Sequence, residues 1–202
     1  MSRKYESVKD YTAIYEKEES SIGKGEKQII NLSFRKPFDV RMDWLDDKGK
    51  FDQTAIYQEG KNEGKLLTKD YSLLGRLVGT VKISPDSPIA MQDSKHAITT
   101  VGFGNLIESL TADINDPQVN TAYVGEKQTV DGRAAYQIEI TGQANINSPG
   151  LAGVKRIFIL IDKQLLLPVK VEIYDGNEDL LERHLFRNVK LNPNLNDKTF
   201  EI

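Results

Sequence analysis

The side chains best suited to bond-making chemistry meet at Asp93-Ser94-Lys95-His96, where an acid, a hydroxyl, an amine and an imidazole follow one another. Acyl transfer by a serine needs a nucleophile, a base and an orienting acid joined in one chain of hydrogen bonds. Residues one to three apart on an irregular loop rarely point at one another in that way. A triad inside the cluster is therefore not expected, and acids such as Asp86 or Glu108 would have to arrive from elsewhere. The plainer reading of His96 is a side chain that shapes its loop by hydrogen bonding to backbone. The other histidine, His184, lies far away in sequence, and the absence of cysteine removes disulfides, thiolate zinc sites and a cysteine nucleophile. Asp46-Asp47 is the natural place for a carboxylate-only cation site, but it reads better as turn chemistry. These residues lead us to expect no catalytic, metal or cofactor site.

Two apolar and glycine-rich stretches offer binding in place of catalysis. Gly102-Phe103-Gly104-Asn105 could present backbone N–H groups to a phosphate or lipid headgroup near a helix start. The alternative is that its glycines let that helix start pack closely against a sheet. Leu73-Leu-Gly-Arg-Leu-Val-Gly-Thr-Val-Lys-Ile83 has two open readings. It is either a buried helix or loop, or an apolar lid whose Gly75 and Gly79 let Leu73, Leu74, Leu77 and Val78 open onto a lipid tail. Tyr5, Tyr11, Tyr15 and Trp44 with Met42 suit a plain core or a concave apolar groove equally.

The elements that must position these residues are mostly strands. Tyr11 to Glu19, Gln28 to Arg35 and Phe38 to Leu45 alternate with period two, and shorter strands at Thr54 to Tyr57 and Lys65 to Thr68 flank a Glu59–Gly64 loop. Gly23-Lys24-Gly25 signals the first turn. Later strands are expected at Tyr123 to Val130, Arg133 to Gly142, Val154 to Ile161, Leu167 to Tyr174 and Leu180 to Val189, with Asp131-Gly132 as the strongest hairpin signal. The strand at Val154 to Ile161 is apolar on both faces and should be central, covered on both sides. Helices are expected at Ser2 to Asp10, Tyr71 to Val78 and Thr99 to Ile114. The last of these has Phe103, Ile107, Leu110 and Ile114 on one stripe and Thr99 or Thr100 as cap. This makes an α+β chain of about ten antiparallel strands, whose sheet must curve or split.

At 202 residues with 39% hydrophobic and 28% charged residues, the chain suits one globular domain, residues 1–202. Its 27 basic and 30 acidic residues are interspersed, with no basic stripe for nucleic acid. No window is apolar enough to span a bilayer as a helix, and the start lacks the apolar core of a signal peptide; a removed signal or lipid anchor stays open.

Several segments resemble one family: Phe34-Arg-Lys-Pro-Phe-Asp-Val-Arg-Met-Asp-Trp-Leu45, Glu63-Gly-Lys-Leu-Leu67, Leu74-Gly-Arg-Leu-Val-Gly79, Ser87-Pro-Ile-Ala-Met91 and Lys95-His-Ala-Ile-Thr-Thr-Val-Gly-Phe-Gly-Asn-Leu-Ile107. The family is an uncharacterised bacterial one of secreted proteins, a domain of unknown function. It is similar to the LolA/LolB-like lipoprotein-carrier superfamily, which the ending Asn188-Val-Lys-Leu-Asn-Pro-Asn-Leu-Asn-Asp-Lys-Thr-Phe200 independently resembles. The resemblance runs from about Val8 to Phe200. It implies an unclosed, half-barrel-like antiparallel sheet with helices on its concave face and a greasy interior. It also implies a periplasmic or otherwise extracytoplasmic setting, and a non-catalytic protein that binds a lipid or the acyl chains of a lipoprotein. The expected apolar lining is Met42, Trp44, Leu73, Leu74, Leu77, Val78, Phe103 and Ile107. Two rivals accompany this reading. One is an interaction module with a packed interior that binds another envelope protein, and a membrane surface stands beside these as a separate partner. The other is a hydrolase using His96.

Overall fold

Alternating apolar and polar residues become an antiparallel sheet because successive side chains on a strand point to opposite faces. The computed structural model describes residues 1–20, 27–92, 94–142 and 154–202, so the Gly23-Lys24-Gly25 turn and Asp93 lie outside the described residues. In chain order the elements are α1 (Ser2–Glu6), β1 (Asp10–Glu19), β2 (Lys27–Arg35), β3 (Asp39–Leu45), β4 (Phe51–Gln58) and β5 (Leu66–Asp70). Then come α2 (Leu73–Val78), β6 (Val81–Ile83), α3 (Phe103–Asn115), β7 (Val119–Gln128), β8 (Ala134–Gly142), β9 (Arg156–Asp162), β10 (Pro168–Tyr174) and β11 (Leu180–Leu191). Short 3₁₀ turns lie at Asn62–Gly64, Ile98–Thr100 and Asp197–Phe200.

The strands form one unclosed sheet in the order β6-β5-β4-β3-β2-β1-β11-β10-β9-β8-β7. This is the α+β class expected, with eleven strands among the described residues where the sequence pattern gives about ten. The extra strand is β6, read from the sequence as part of a dense apolar cluster. Three residues are too few to show an alternation. Helix α1 stops at Glu6, well short of Asp10, where β1 begins.

The chain divides into two compact units, each drawn from several segments. The first comprises Met1–Ser7, Glu16–Lys27 and Gly102–Arg187. Its core joins Leu110 of α3 to Ile140 of β8, Ile157 and Ile159 of β9, and Val171 and Ile173 of β10. Phe103 is fully buried and lies 4.7 Å, ring to ring, from Phe186. The helix departs from expectation at both ends. Its cap is Gly102, at φ 114°, and not Thr99 or Thr100, which sit in a 3₁₀ turn. The buried stripe continues through Asp113, while Ile114 is partly exposed. Strand β9 lies third from the β7 edge and not at the centre expected for it, and its two faces are covered unequally. Ile157 and Ile159 are buried, whereas Phe158 and Leu160 are half-buried on the other side.

The second unit comprises Val8–Tyr15, Gln28–Val101 and Asn188–Ile202. Ile30, Leu32, Val40, Met42 and Ile56 are buried, and Tyr11, Phe34, Phe38 and Tyr57 form a chain of ring contacts 5.2 to 6.0 Å apart. The C-terminal turn Asp197–Phe200 is held by arginines. The Arg35 guanidinium reaches Asp39 at 2.6 Å and Asp197 at 2.8 Å and covers the Phe200 ring, while Arg41 donates to the carbonyls of Thr199 and Glu201.

Candidate functional site

Helix α2 is short, and local hydrogen bonds hold it in place. Ser72 is its N-cap, accepting from the Gly75 N–H at 3.1 Å, and the Asp70 carboxylate accepts from the Ser72 N–H at 2.6 Å. A Cβ on Gly75 would lie 2.6 Å from the Asp70 side chain and 2.7 Å from its carbonyl, so only glycine lets α2 sit this close to the end of β5. Gly79 closes the helix at φ 78° and donates to the Gly75 carbonyl. The two glycines expected to serve as lid hinges thus have close-packing and capping tasks.

This anchored helix buries none of its residues. Leu73, Leu74, Leu77 and Val78 are 82%, 75%, 83% and 70% exposed. Of the two readings of the Leu73 to Ile83 stretch, the structure corrects the buried one. Scattered surface leucines are ordinary, but four large apolar side chains on a six-residue helix form a patch of the kind that usually marks contact with something apolar.

The other expected lining residues lie elsewhere. Met42 is buried between its strand neighbours Leu32 and Ala55, and Trp44 is half-buried, donating from Nε1 to Gln28 at 3.1 Å. Phe103 and Ile107 are buried on α3. These three buried side chains would reach a ligand only if the core around them opened. Gly104 does permit a close approach, though against Tyr5 of α1 and not against the sheet. A Cβ there would lie 3.0 Å from the tyrosine ring.

Within the polar cluster, the Ser94 side chain bonds to the backbone of His96. The His96 N–H donates to Ser94 Oγ at 3.1 Å, and that hydroxyl donates to the His96 carbonyl at 2.8 Å. Asp86 accepts from the Ser84 hydroxyl, and Asp46 accepts from the N–H groups of Lys48 and Lys50, as turn chemistry requires. Two features of the first unit escaped sequence reasoning. His184 Nε2 lies 3.1 Å from the buried Glu182 carboxylate, a pairing that spacing of two on a strand could have suggested. A cavity of about 290 Å³ is also present, lined by Leu160, Val169 and Leu185 together with Glu16, Lys17, Glu18, Lys27, Lys170 and Arg183. Ion pairs of Lys27 with Glu16 and of Arg183 with Glu18, each 2.7 Å, link part of this lining. Burial pushes the Glu16 carboxyl up, but hydrogen bonds from Lys27 and Arg187 outweigh it and hold Glu16 below the usual range.

Comparison with known proteins is consistent with this fold. Residues 8–202 match a family described as "Protein of unknown function (DUF1571)". No curated protein matches the chain. Among solved structures it is similar to the lipoprotein LppX of Mycobacterium tuberculosis, at 10% identity over 96% of this chain and 92% of that one, with a TM-score of 0.53. An uncharacterized conserved protein of Thermus thermophilus aligns at 12% identity over 98% and 86% of the two chains, TM-score 0.51. The MucA/MucB complex structure of Pseudomonas aeruginosa aligns at 15% identity over 96% of this chain and 55% of that one, TM-score 0.51, so this chain spans little more than half of that relative. At such identities these likenesses speak to fold alone.

Proposed function

The chain belongs to the DUF1571 family of proteins of unknown function, and from that premise we propose that it works by binding, engaging an acyl-chain ligand through α2 without making or breaking bonds. The observation that carries this reading is the outward set of Leu73, Leu74, Leu77 and Val78 on a helix whose backbone is pinned. Apolar surface left in water is unfavourable, at about 25 cal/mol per Å². An acyl chain laid against it contributes up to about 0.8 kcal/mol per buried CH₂. The ligand class is a lipid or the acylated end of a lipoprotein, and the setting is extracytoplasmic. A fold likeness to one mycobacterial lipoprotein supports that setting. The Ser94 hydroxyl donates to the His96 carbonyl, which favours a binding protein over a serine hydrolase.

A second reading has α2 docking an envelope protein. The burial of Met42, Phe103 and Ile107 favours it, since these side chains are closed to an acyl chain. Titration with a fluorescent fatty acid separates the two, with native mass spectrometry of protein purified without detergent alongside. Leu73→Asp combined with Leu77→Asp is expected to weaken binding at least tenfold, because each leucine contributes about 1.5–3 kcal/mol when fully covered. An unshifted mass together with no saturable titration of the wild type would remove the acyl-chain reading and leave the partner protein.

A further inference from the structure

Resting on the reading of α2 as an apolar docking element, we propose that the occupant of this surface is an anionic lipid bilayer, on which the second unit docks peripherally. The charge around the patch carries the choice. Residues 65–83 hold Lys65, Lys69, Arg76 and Lys82 against the single acid Asp70, a net charge of +3 within a chain of net charge −3. The acid is engaged in capping α2 through the Ser72 N–H. Lys65, Arg76 and Lys82 are exposed; Lys65 pairs with Glu63 at 3.5 Å, and Lys82 lies on β6, the edge strand of the sheet, in register with Leu67, while Val81 beside it, 37% exposed, points to the opposite face. A locally basic, apolar surface on an otherwise acidic protein is what an interfacial anchor needs. Its leucines enter the boundary between headgroups and acyl chains, and its lysine and arginine stems lie along the apolar layer with their charges among the phosphates.

The geometry favours a bilayer over a soluble partner. The four apolar side chains stand out from the surface and are not set in a groove, so the complement must supply the apolar medium itself. A membrane does this over any area, and its negative surface potential draws in the net-positive segment 65–83 while repelling the acidic remainder of the chain. Docking should therefore be oriented, with α2 towards the lipid, and weak, since no helix among the described residues is long and apolar enough to cross a membrane.

The test is co-sedimentation of the full chain with vesicles of phosphatidylcholine alone and with roughly a third phosphatidylglycerol, a composition that supplies the surface charge required. Sedimentation is expected with the anionic vesicles only, with loss by about tenfold or more when salt is raised to about 0.5 M and screens the headgroups. Lys69→Glu with Lys82→Glu is expected to abolish it, each reversal weakening binding about fivefold or more. Leu73→Asp with Leu77→Asp is expected to abolish it as well. Circular dichroism verifies that these surface variants fold. A Leu74→Trp variant should show indole emission shifted to the blue on adding anionic vesicles. Failure of the wild type to sediment with anionic vesicles, equal binding to neutral ones, or an unshifted indole overturns the proposal. If fatty-acid titration succeeds while sedimentation fails, the bilayer proposal falls and the acyl-chain reading stands. If both fail, both fall.

Discussion

Asp113 is the residue that most conflicts with its surroundings. It is 3% exposed on the packed side of α3, and its Oδ2 has no hydrogen-bond partner among the described residues. Burial, and then the charge of Asp116, push its carboxyl above the usual carboxylate value. A carboxyl whose pKa is raised on folding favours the protonated native state. Its cost is therefore absent at low pH and grows as pH climbs from the ordinary carboxylate value through the raised one. Asp113→Asn is expected to stabilise the protein at neutral pH by about 1 kcal/mol, since it removes a buried charge whose desolvation costs about 1 kcal/mol or more. The gain should vanish in acid. Thermal melts of both proteins from pH 4 to pH 8 check this, and a constant difference across the range would show that the carboxyl does not titrate there. The apolar periodicity of α3 did not reveal the site, because the stripe could continue through Asp113 or Ile114 and the sequence favours isoleucine.

Among the elements, the start of α3 is governed by a contact with α1. Tyr5 accepts a backbone hydrogen bond from Gly104, which holds its ring over the glycine where a Cβ would come within 3.0 Å. Alanine is ordinarily better than glycine in a helix by about 1 kcal/mol. Gly104→Ala should nevertheless destabilise the wild type, because the ring must move off its partner. In a Tyr5→Ala background the same change should stabilise by about 0.5–1 kcal/mol, the ordinary propensity difference. Urea melts of the four proteins form the cycle, and additive effects would disprove the contact's role. Helix α2 obeys different rules. Residue types suggest hinges in its glycines, where the structure gives them packing and capping tasks, and they leave its exposure open. Leucines spaced on one side of a helix look the same whether a core or a ligand covers them, and only the position of α2 beyond the end of β5 decides.

For the molecule as a whole, acid should be the more damaging direction. Hydrogen bonds to folded backbone or cationic partners hold Glu16, Asp46, Asp70 and Asp197 below their ordinary values. A carboxylate depressed on folding lends stability that is present above its unfolded pKa and lost as pH falls through the folded one. Asp113 works in the opposite sense. As carboxylates are protonated, the 27 lysines and arginines also lose their counter-charges. The melting temperature is therefore expected to fall steeply below about pH 4, in the carboxylate range, and Glu16→Gln should make that fall shallower; an identical acid limb in the variant would exclude Glu16 as a contributor. From the sequence alone came the α+β class, most strand positions, the Asp131-Gly132 hairpin and the family likeness. The first three rest on alternation and turn chemistry between near neighbours, which impose the same geometry in any fold, and the likeness rests on resembling segments. The tertiary structure alone decided that Met42, Phe103 and Ile107 are core, that the leucines of α2 face water and that Asp113 is buried. Burial depends on which distant strand or helix happens to lie opposite a side chain, and no local pattern carries that information.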